Sequence, residues 1–192
     1  MKNAIIGIAL AVISFIACNN SNNKTDDNKV SRDTTKTILQ TNNAGTKGAA
    51  SIKEIVSGYL QLKNELVIDN GSDAANGGKA ILDAVAKFDN SSLSPQQKKV
   101  YEDVADDIKE NAEHISKNSS KIAHQREHFD MLSQDMFDLV KAFSTDRTLY
   151  KDYCPMCNNG EGVIWISEIK EIKNSYLGKK MPTCGEVNEE IK

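Results

Sequence analysis

The sequence has few aromatic residues and few of the residues that make tight turns. Phenylalanine, tryptophan and tyrosine make up 6% of the 192 residues, and there are only three prolines and eleven glycines. An all-β domain needs many turns and is usually richer in these residues. The composition therefore favours a mainly helical protein with a modest, mostly aliphatic core.

The chain also lacks an excess of charge of either sign. It carries 24 basic and 27 acidic side chains, which give a net charge of −3 and a pI of about 5.7. Nucleic-acid-binding domains usually have a basic excess, so we expect no nucleic acid partner. The length suits one domain with appended segments.

The N-terminus has the form of an export signal. Lys2 precedes the apolar run Ile5–Ile16, which is too short for a comfortable membrane span. The run ends in Phe15-Ile16-Ala17-Cys18 and resembles a bacterial lipobox, with phenylalanine where leucine is usual. We predict a lipoprotein signal peptide over residues 1–18 and lipidation of Cys18. The protein would then be anchored to a bacterial membrane in the cell envelope, facing the periplasm or the surface.

Polarity and periodicity divide the rest of the chain into three parts. Residues 19–50 are polar and contain no aromatic residue, which predicts a disordered tether. Residues 51–146 contain four amphipathic segments with short connections, which predict an antiparallel four-helix bundle. Gly77 and Gly78 are expected to weaken the second helix. Residues 147–192 predict a small loop-rich Cys/Met subdomain packed on the bundle, with a short β element near Trp165 and a frayed or helical C-terminus.

Sulfur-containing side chains are concentrated in this last part. Cys154 has Met156 close by in the sequence, and Cys184 has Met181. Thiolate and thioether ligands together favour Cu(I) over other common ions, and Trp165 could cover such an ion by a cation–π contact or simply pack.

Two alternatives for the cysteines remain open. In an exported chain, Cys184 could form a disulfide with Cys154 or Cys157. Zinc could instead be bound by the three cysteines and a histidine.

Histidines supply the second group of candidate ligands. His124 and His128 are four residues apart on the fourth helix and project from one flank, with His114 as a weaker third candidate. They are either metal ligands or solvated side chains. The run His124–His128 also matches H-x-x-E-H, a zinc peptidase motif, but so small a bundle leaves little room for a substrate cleft. We therefore do not expect a peptidase, and because metal binding makes or breaks no bond in a substrate, we expect no enzymatic activity.

Several motifs together resemble an uncharacterised bacterial domain family of exported lipoproteins, also found at the C-terminus of periplasmic adaptor subunits of copper/silver efflux systems. The motifs span roughly residues 51–191. They are Tyr59-Leu60-Gln61-Leu62-Lys63-Asn64, His124-Gln125-Arg126-Glu127-His128-Phe129, Tyr153-Cys154-Pro155-Met156, Trp165-Ile166-Ser167, Ile172-Lys173-Asn174-Ser175-Tyr176-Leu177-Gly178, Met181 and Cys184-Gly185.

The resemblance implies extracytoplasmic heavy-metal binding, with Cys154, Met156, Met181 and Cys184 as soft ligands and His128 completing the site. Ser175, where the family tends to have proline, and Cys157, where cysteine is not typical, depart from the pattern.

These observations predict a lipid-anchored protein that binds Cu(I), or Ag(I) or zinc, and buffers the ion or transfers it to heavy-metal efflux components. The ligands would be Cys154, Met156, Met181 and Cys184, with His124, His128 and Cys157 as additional candidates. The alternatives are a disulfide-stapled structural or interaction module of the cell envelope without metal, and a zinc-binding domain.

Overall fold

The computed structural model describes residues 51–192. The predicted signal peptide with Cys18 and the predicted tether lie outside the described residues. The helices are α1 (Lys53–Val67), α2 (Gly71–Lys87), α3 (Pro95–Lys117) and α4 (Ile122–Phe143), and the strands are β1 (Leu149–Cys154), β2 (Val163–Ser167) and β3 (Glu186–Ile191). The prediction of a mainly helical protein is confirmed, but its C-terminal part contains a three-stranded sheet.

Local sequence signals account for the start of α3. The Ser94 hydroxyl accepts a hydrogen bond from the Gln97 backbone N–H, and the Gln97 side chain accepts one from the Ser94 backbone N–H. Pro95 fills the first helical position, where its missing N–H is not needed. Each helix packs mainly against the next one in the chain. None of the helices within residues 51–192 is long and apolar enough to cross a membrane.

Two glycines let α2 lie unusually close to its neighbours. A Cβ atom on Gly77 would lie 2.6 Å from the Leu62 backbone nitrogen in α1, and one on Gly78 would lie 2.9 Å from the Ala112 carbonyl oxygen in α3. Such contacts have no room for a side chain. Glycine lowers the intrinsic helix propensity of α2 by about 1 kcal/mol per residue, but at these two positions it permits close helix packing.

The core is shared between the helices and the C-terminal region. Phe129, one residue of the predicted seven-residue repeat on α4, is fully buried and stacks on Tyr59 of α1, with ring centroids 5.2 Å apart. The Tyr59 hydroxyl accepts a hydrogen bond from the Ile166 backbone N–H of β2 at 3.0 Å. Phe129 also contacts Tyr176, which follows the sheet strand β2 in the chain. Neither part therefore has a separate core.

The sheet is antiparallel and has the order β2-β1-β3. Strand β1 is central, and its Asp152 lies opposite Trp165 of β2. The residues from Glu186 onward, which we predicted to be frayed or helical, instead form the edge strand β3. Their charged side chains point mostly to solvent, and this does not prevent backbone pairing with β1, so composition alone did not reveal the strand.

A buried polar cluster lies where α1 meets the sheet. Lys63 is completely buried, and its Nζ donates a hydrogen bond to Glu168 Oε2 at 2.8 Å. Asp152 is also buried, and neither carboxylate oxygen has a hydrogen-bond partner among the described residues. The Trp165 indole N–H lies near the Asp152 carboxylate and favours its ionised form, but the two groups do not form a hydrogen bond. Burial raises the pKa of Asp152 to about 7, although Lys63 and Trp165 act to lower it.

Candidate metal centre

All three histidines of the chain meet at one place on the α3–α4 surface. His114 comes from α3, and His124 and His128 come from α4; we call them the histidine cluster. The rings of His114 and His128 stack with centroids 4.1 Å apart, and the His124 ring lies 4.5 Å from His128 and nearly perpendicular to it. One ligand atom from each histidine lies within 4.8 Å of the other two.

The turn between α3 and α4 explains why His114 joins the pair predicted from α4. The two helices are joined by residues 118–121. In antiparallel helices joined by a short turn, residues equally far from the turn become neighbours. His114 and His124 are equally distant from residue 119, so this symmetry is the sequence signal that would have placed His114 beside the pair.

Polar contacts around the cluster involve ring nitrogens. The Nδ1 atom of His128 lies 3.0 Å from Asn111 Oδ1, and the Nδ1 atom of His124 lies 3.2 Å from a Glu127 carboxylate oxygen. Burial, followed by the neighbouring His114 and His124, lowers the pKa of His128 below its ordinary value. A neutral imidazole is the form that binds metal ions. The contact of Asn111 with His128 was not predicted, because it depends on the pairing of α3 with α4.

The donor set fits a transition-metal ion. Imidazole nitrogens bind copper and zinc, and nitrogens that share an ion at about 2.0–2.1 Å lie about 3.3 Å apart in a tetrahedral site. The rings are therefore within a shift of the order of 1 Å of a binding arrangement. The His114 and His128 rings are stacked with an angle of 10° between their planes, so their nitrogen lone pairs do not point at a common position. One ring must therefore rotate before both can bind the same ion. His114 is the exposed member of the cluster, whereas His124 and His128 are partly buried, so His114 is the ring with most room to turn.

The cysteines of the C-terminal region form a second group, which we call the thiol group: Cys154, Cys157 and Cys184. The Sγ atoms of Cys154 and Cys184 lie 2.7 Å apart, and all three thiols are free. Cys157 is buried and lies 4.0 Å from the Asn174 amide nitrogen. The turn after β1 and the approach to β3 bring these sulfurs together at one end of the sheet.

The three thiols differ in the direction in which their pKa is shifted. Burial acts to raise the pKa of Cys154, but hydrogen bonds from Cys184, from the Met156 backbone N–H and from Cys157 outweigh it, and the pKa is lowered. Burial and the neighbouring Cys154 raise the pKa of Cys157 to about 12. The hydrogen bond to Cys154, followed by burial, raises the pKa of Cys184 to about 11. Cys154 is therefore the thiol that ionises first.

The predicted sulfur ligands outside the thiol group are exposed. Met156 is 62% exposed and Met181 is 41% exposed. Trp165, the predicted cover for an ion, is fully buried, and a Cβ on Gly185 would lie 2.9 Å from its Cη2 atom. Trp165 therefore packs against the segment that follows Cys184.

The residues predicted as one metal site lie in two separate groups. Arg126 of α4 faces the C-terminal region, where its Nε donates to the Ser175 carbonyl oxygen at 2.8 Å. His128 is two residues further on, about 200° around the helix, so it lies on the opposite side of α4. Among residues 51–192, only the histidine cluster brings three His, Cys, Asp or Glu ligand atoms within 4.8 Å of one another.

Comparison with known proteins finds a family match over the helical part of the chain. Residues 55–148 match the family described as Protein of unknown function (DUF3347). The match contains the histidine cluster and ends one residue before β1, so the thiol group lies beyond it. No curated protein and no solved structure matches the chain. Residues 55–148 are therefore similar to an uncharacterised family, as predicted for this part of the chain. The lipoprotein and efflux-adaptor context of the predicted resemblance stays a prediction.

Proposed function

We propose that this protein binds a copper ion outside the cytoplasm and that the histidine cluster is its principal binding site. The observation that carries the proposal is the meeting of the chain's three histidines within 4.8 Å. His124 and His128 are neighbours through their four-residue spacing on α4, and the pairing of α3 with α4 adds His114 to them. Three protein ligands leave one position open on a four-coordinate ion, which suits a protein that accepts an ion and passes it on.

The rest of the proposal follows from the sequence. The lipobox-like Cys18 supports a lipid anchor in the bacterial cell envelope, and the efflux-adaptor resemblance supports a role in copper or silver buffering, transfer or efflux. The four helices would act as an antiparallel bundle that supports the site. Binding involves no bond making in a substrate, so we propose no enzymatic activity. Zinc competes as the cargo because imidazole ligands accept both ions.

Metal titration of the full-length protein, purified anaerobically with reductant, tests this proposal. We expect one tight equivalent of Cu(I), measured against a chelator of known affinity, with Zn(II) titrated in parallel. The His124→Gln/His128→Gln variant should bind at least about 100-fold more weakly, because loss of an outer partner alone costs 10–100-fold. The Met156→Leu/Met181→Leu variant is the matched control and should bind normally.

Two results would contradict the assignment. Unchanged affinity in the histidine variant would remove the histidine cluster as the site. Loss of Cu(I) binding in the methionine control and in a Cys154→Ser/Cys184→Ser variant, with the histidine variant normal, would move the site to the thiol group and its methionines.

The thiol group supports a second candidate role, that of a disulfide-stapled module. Two sulfurs bound to one ion at about 2.3 Å would lie about 3.8 Å apart, whereas the Cys154 and Cys184 sulfurs lie 2.7 Å apart. Their separation is nearer to that of a covalent pair. In an oxidising compartment, these two thiols would pair and fix the segment before β3 to the end of β1. Soft Cu(I) or Ag(I) binding by Cys154, Cys184, Met156 and Met181 would then need the reduced protein.

Thiol mapping tests the pairing. On incubation with oxidised glutathione, two protein thiols are oxidised to a disulfide and the glutathione disulfide is reduced to two thiols. We expect mass spectrometry after alkylation to show a Cys154–Cys184 peptide and an alkylated Cys157. The Cys157→Ser variant should give the same link. A Cys154–Cys157 link in the unaltered protein, or three alkylated thiols, would contradict this pairing.

A further inference from the structure

One contact of the histidine cluster is buried and has a fixed direction. Asn111 lies on α3 three residues before His114, so both side chains lie on one face of the helix. Asn111 is 6% exposed, and its Nδ2 donates a hydrogen bond to the Asp107 carbonyl oxygen at 2.9 Å. A carbonyl oxygen can only accept, so the amide nitrogen must face Asp107. Asn111 Oδ1 is therefore the atom that faces His128, at 3.0 Å from its Nδ1.

This orientation decides where His128 carries its proton. Asn111 Oδ1 has no hydrogen to donate, so the His128 Nδ1 must be the donor in this contact. A neutral imidazole carries one N–H, which leaves the Nε2 lone pair bare. The ring is thereby held with Nε2 as the atom that can bind an ion.

The corresponding contact of His124 is weaker. Its Nδ1 lies 3.2 Å from Glu127 Oε2, and the Glu127 side chain is 72% exposed. Exposed pairs of this kind contribute little because water competes for them. Among the described residues, Asn111 is thus the buried group that orients a ligand of the cluster.

We propose that Asn111 is a positioning residue that sets the His128 tautomer and presents its Nε2 atom to the metal ion. The inference rests on the proposed function, since it gives a role to a residue beside the same site. Asn111 does not touch the ion; it acts through His128. Outer partners that orient a metal-binding histidine typically contribute 10–100-fold to metal affinity.

Nitrogen NMR of the full-length protein labelled with ¹⁵N-histidine tests the proposal. The chain has three histidines, so each ring can be assigned by substitution. Long-range ¹H–¹⁵N spectra of the ion-free protein, recorded above about pH 8 where ordinary histidines are neutral, should show the His128 proton on Nδ1. Asn111→Leu should move this proton toward Nε2 and weaken metal binding about 10–100-fold.

The Asn111→Asp variant supplies the matched control. It keeps an oxygen acceptor opposite His128, so the Nδ1–H tautomer should be retained, whereas a purely structural role for Asn111 would be disturbed equally by both changes. If the unaltered protein binds the ion but His128 carries its proton on Nε2, the inference about Asn111 is overturned and the proposed function is not. An unchanged tautomer and affinity in Asn111→Leu would also overturn it. Absence of metal binding by the unaltered protein would overturn the proposed function together with the metal-directed role of Asn111.

Discussion

Replacement of Lys63 by methionine is expected to lower the free energy of unfolding by about 2–3 kcal/mol, because breaking a fully buried ion pair typically costs 3–5 kcal/mol and the Glu168 side chain remains 28% exposed to water. Lys63 is fully buried and contacts Glu168 at 2.8 Å. Methionine keeps the length and apolar stem of the side chain but leaves the Glu168 and Asp152 carboxylates without a nearby cation. Urea unfolding measures the loss, at about pH 7, which lies within the pH range where most proteins are most stable.

The exposed Lys79 of α2 supplies the control for this change. Lys79→Met removes the same charge from the surface and should alter stability by less than about 0.5 kcal/mol. Adding Glu168→Gln to Lys63→Met should recover part of the lost stability, because the unpaired carboxylate is then removed. If Lys63→Met is as stable as the parent protein, the buried amine does not stabilise the fold through its neighbouring carboxylates.

Replacement of Asp152 by asparagine is expected to change the pH dependence of stability. Burial raises the pKa of Asp152 from 3.8 to about 7, so between these values the folded protein holds a proton that the unfolded chain has released. The stability from this group is therefore present in full below about pH 4 and is lost as the pH rises through about 7. The loss amounts to about 4 kcal/mol at most, at 1.36 kcal/mol per pKa unit.

Measurement of unfolding free energy at intervals between about pH 4 and pH 8 separates this contribution from others. The free energy of unfolding of Asp152→Asn, relative to that of the parent protein, should increase as the pH rises. Asp106, whose side chain is 94% exposed, provides the surface control for removal of one carboxylate charge. A flat difference for Asp152→Asn would mean that its carboxylate ionises in the folded protein as easily as in the unfolded chain.

Helical periodicity predicted much of the core because it depends on local spacing. Phe129 and Met136, from the predicted repeat on α4, are fully buried, and the capping box at Ser94 is formed as expected. In contrast, the burial of Lys63 and Asp152 was not predicted. Their positions depend on the packing of α1 against a sheet that forms from residues distant in the chain, and no local pattern records that contact.

The candidate site was predicted in its components and not in its arrangement. His124 and His128 were identified as candidate ligands from their four-residue spacing, whereas the contact between Asn111 and His128 required knowledge of how α3 lies against α4. Cys154 and Cys184 were expected near each other, and their sulfurs do meet. The histidines are separated from the cysteines because His128 lies about 200° around α4 from Arg126, which faces the C-terminal region. This separation could be calculated only once the face of α4 that packs on the C-terminal region was known.

The shared core has a consequence for where this protein can be divided. The family match ends at residue 148, yet Tyr59 hydrogen-bonds to Ile166 and Lys63 pairs with Glu168, both beyond that point. Cutting the chain there would open the inner side of α1 to water and leave a buried amine without its partner. We therefore expect the smallest cooperative folding unit to be larger than the matched segment and to extend through Ile191 at the end of β3.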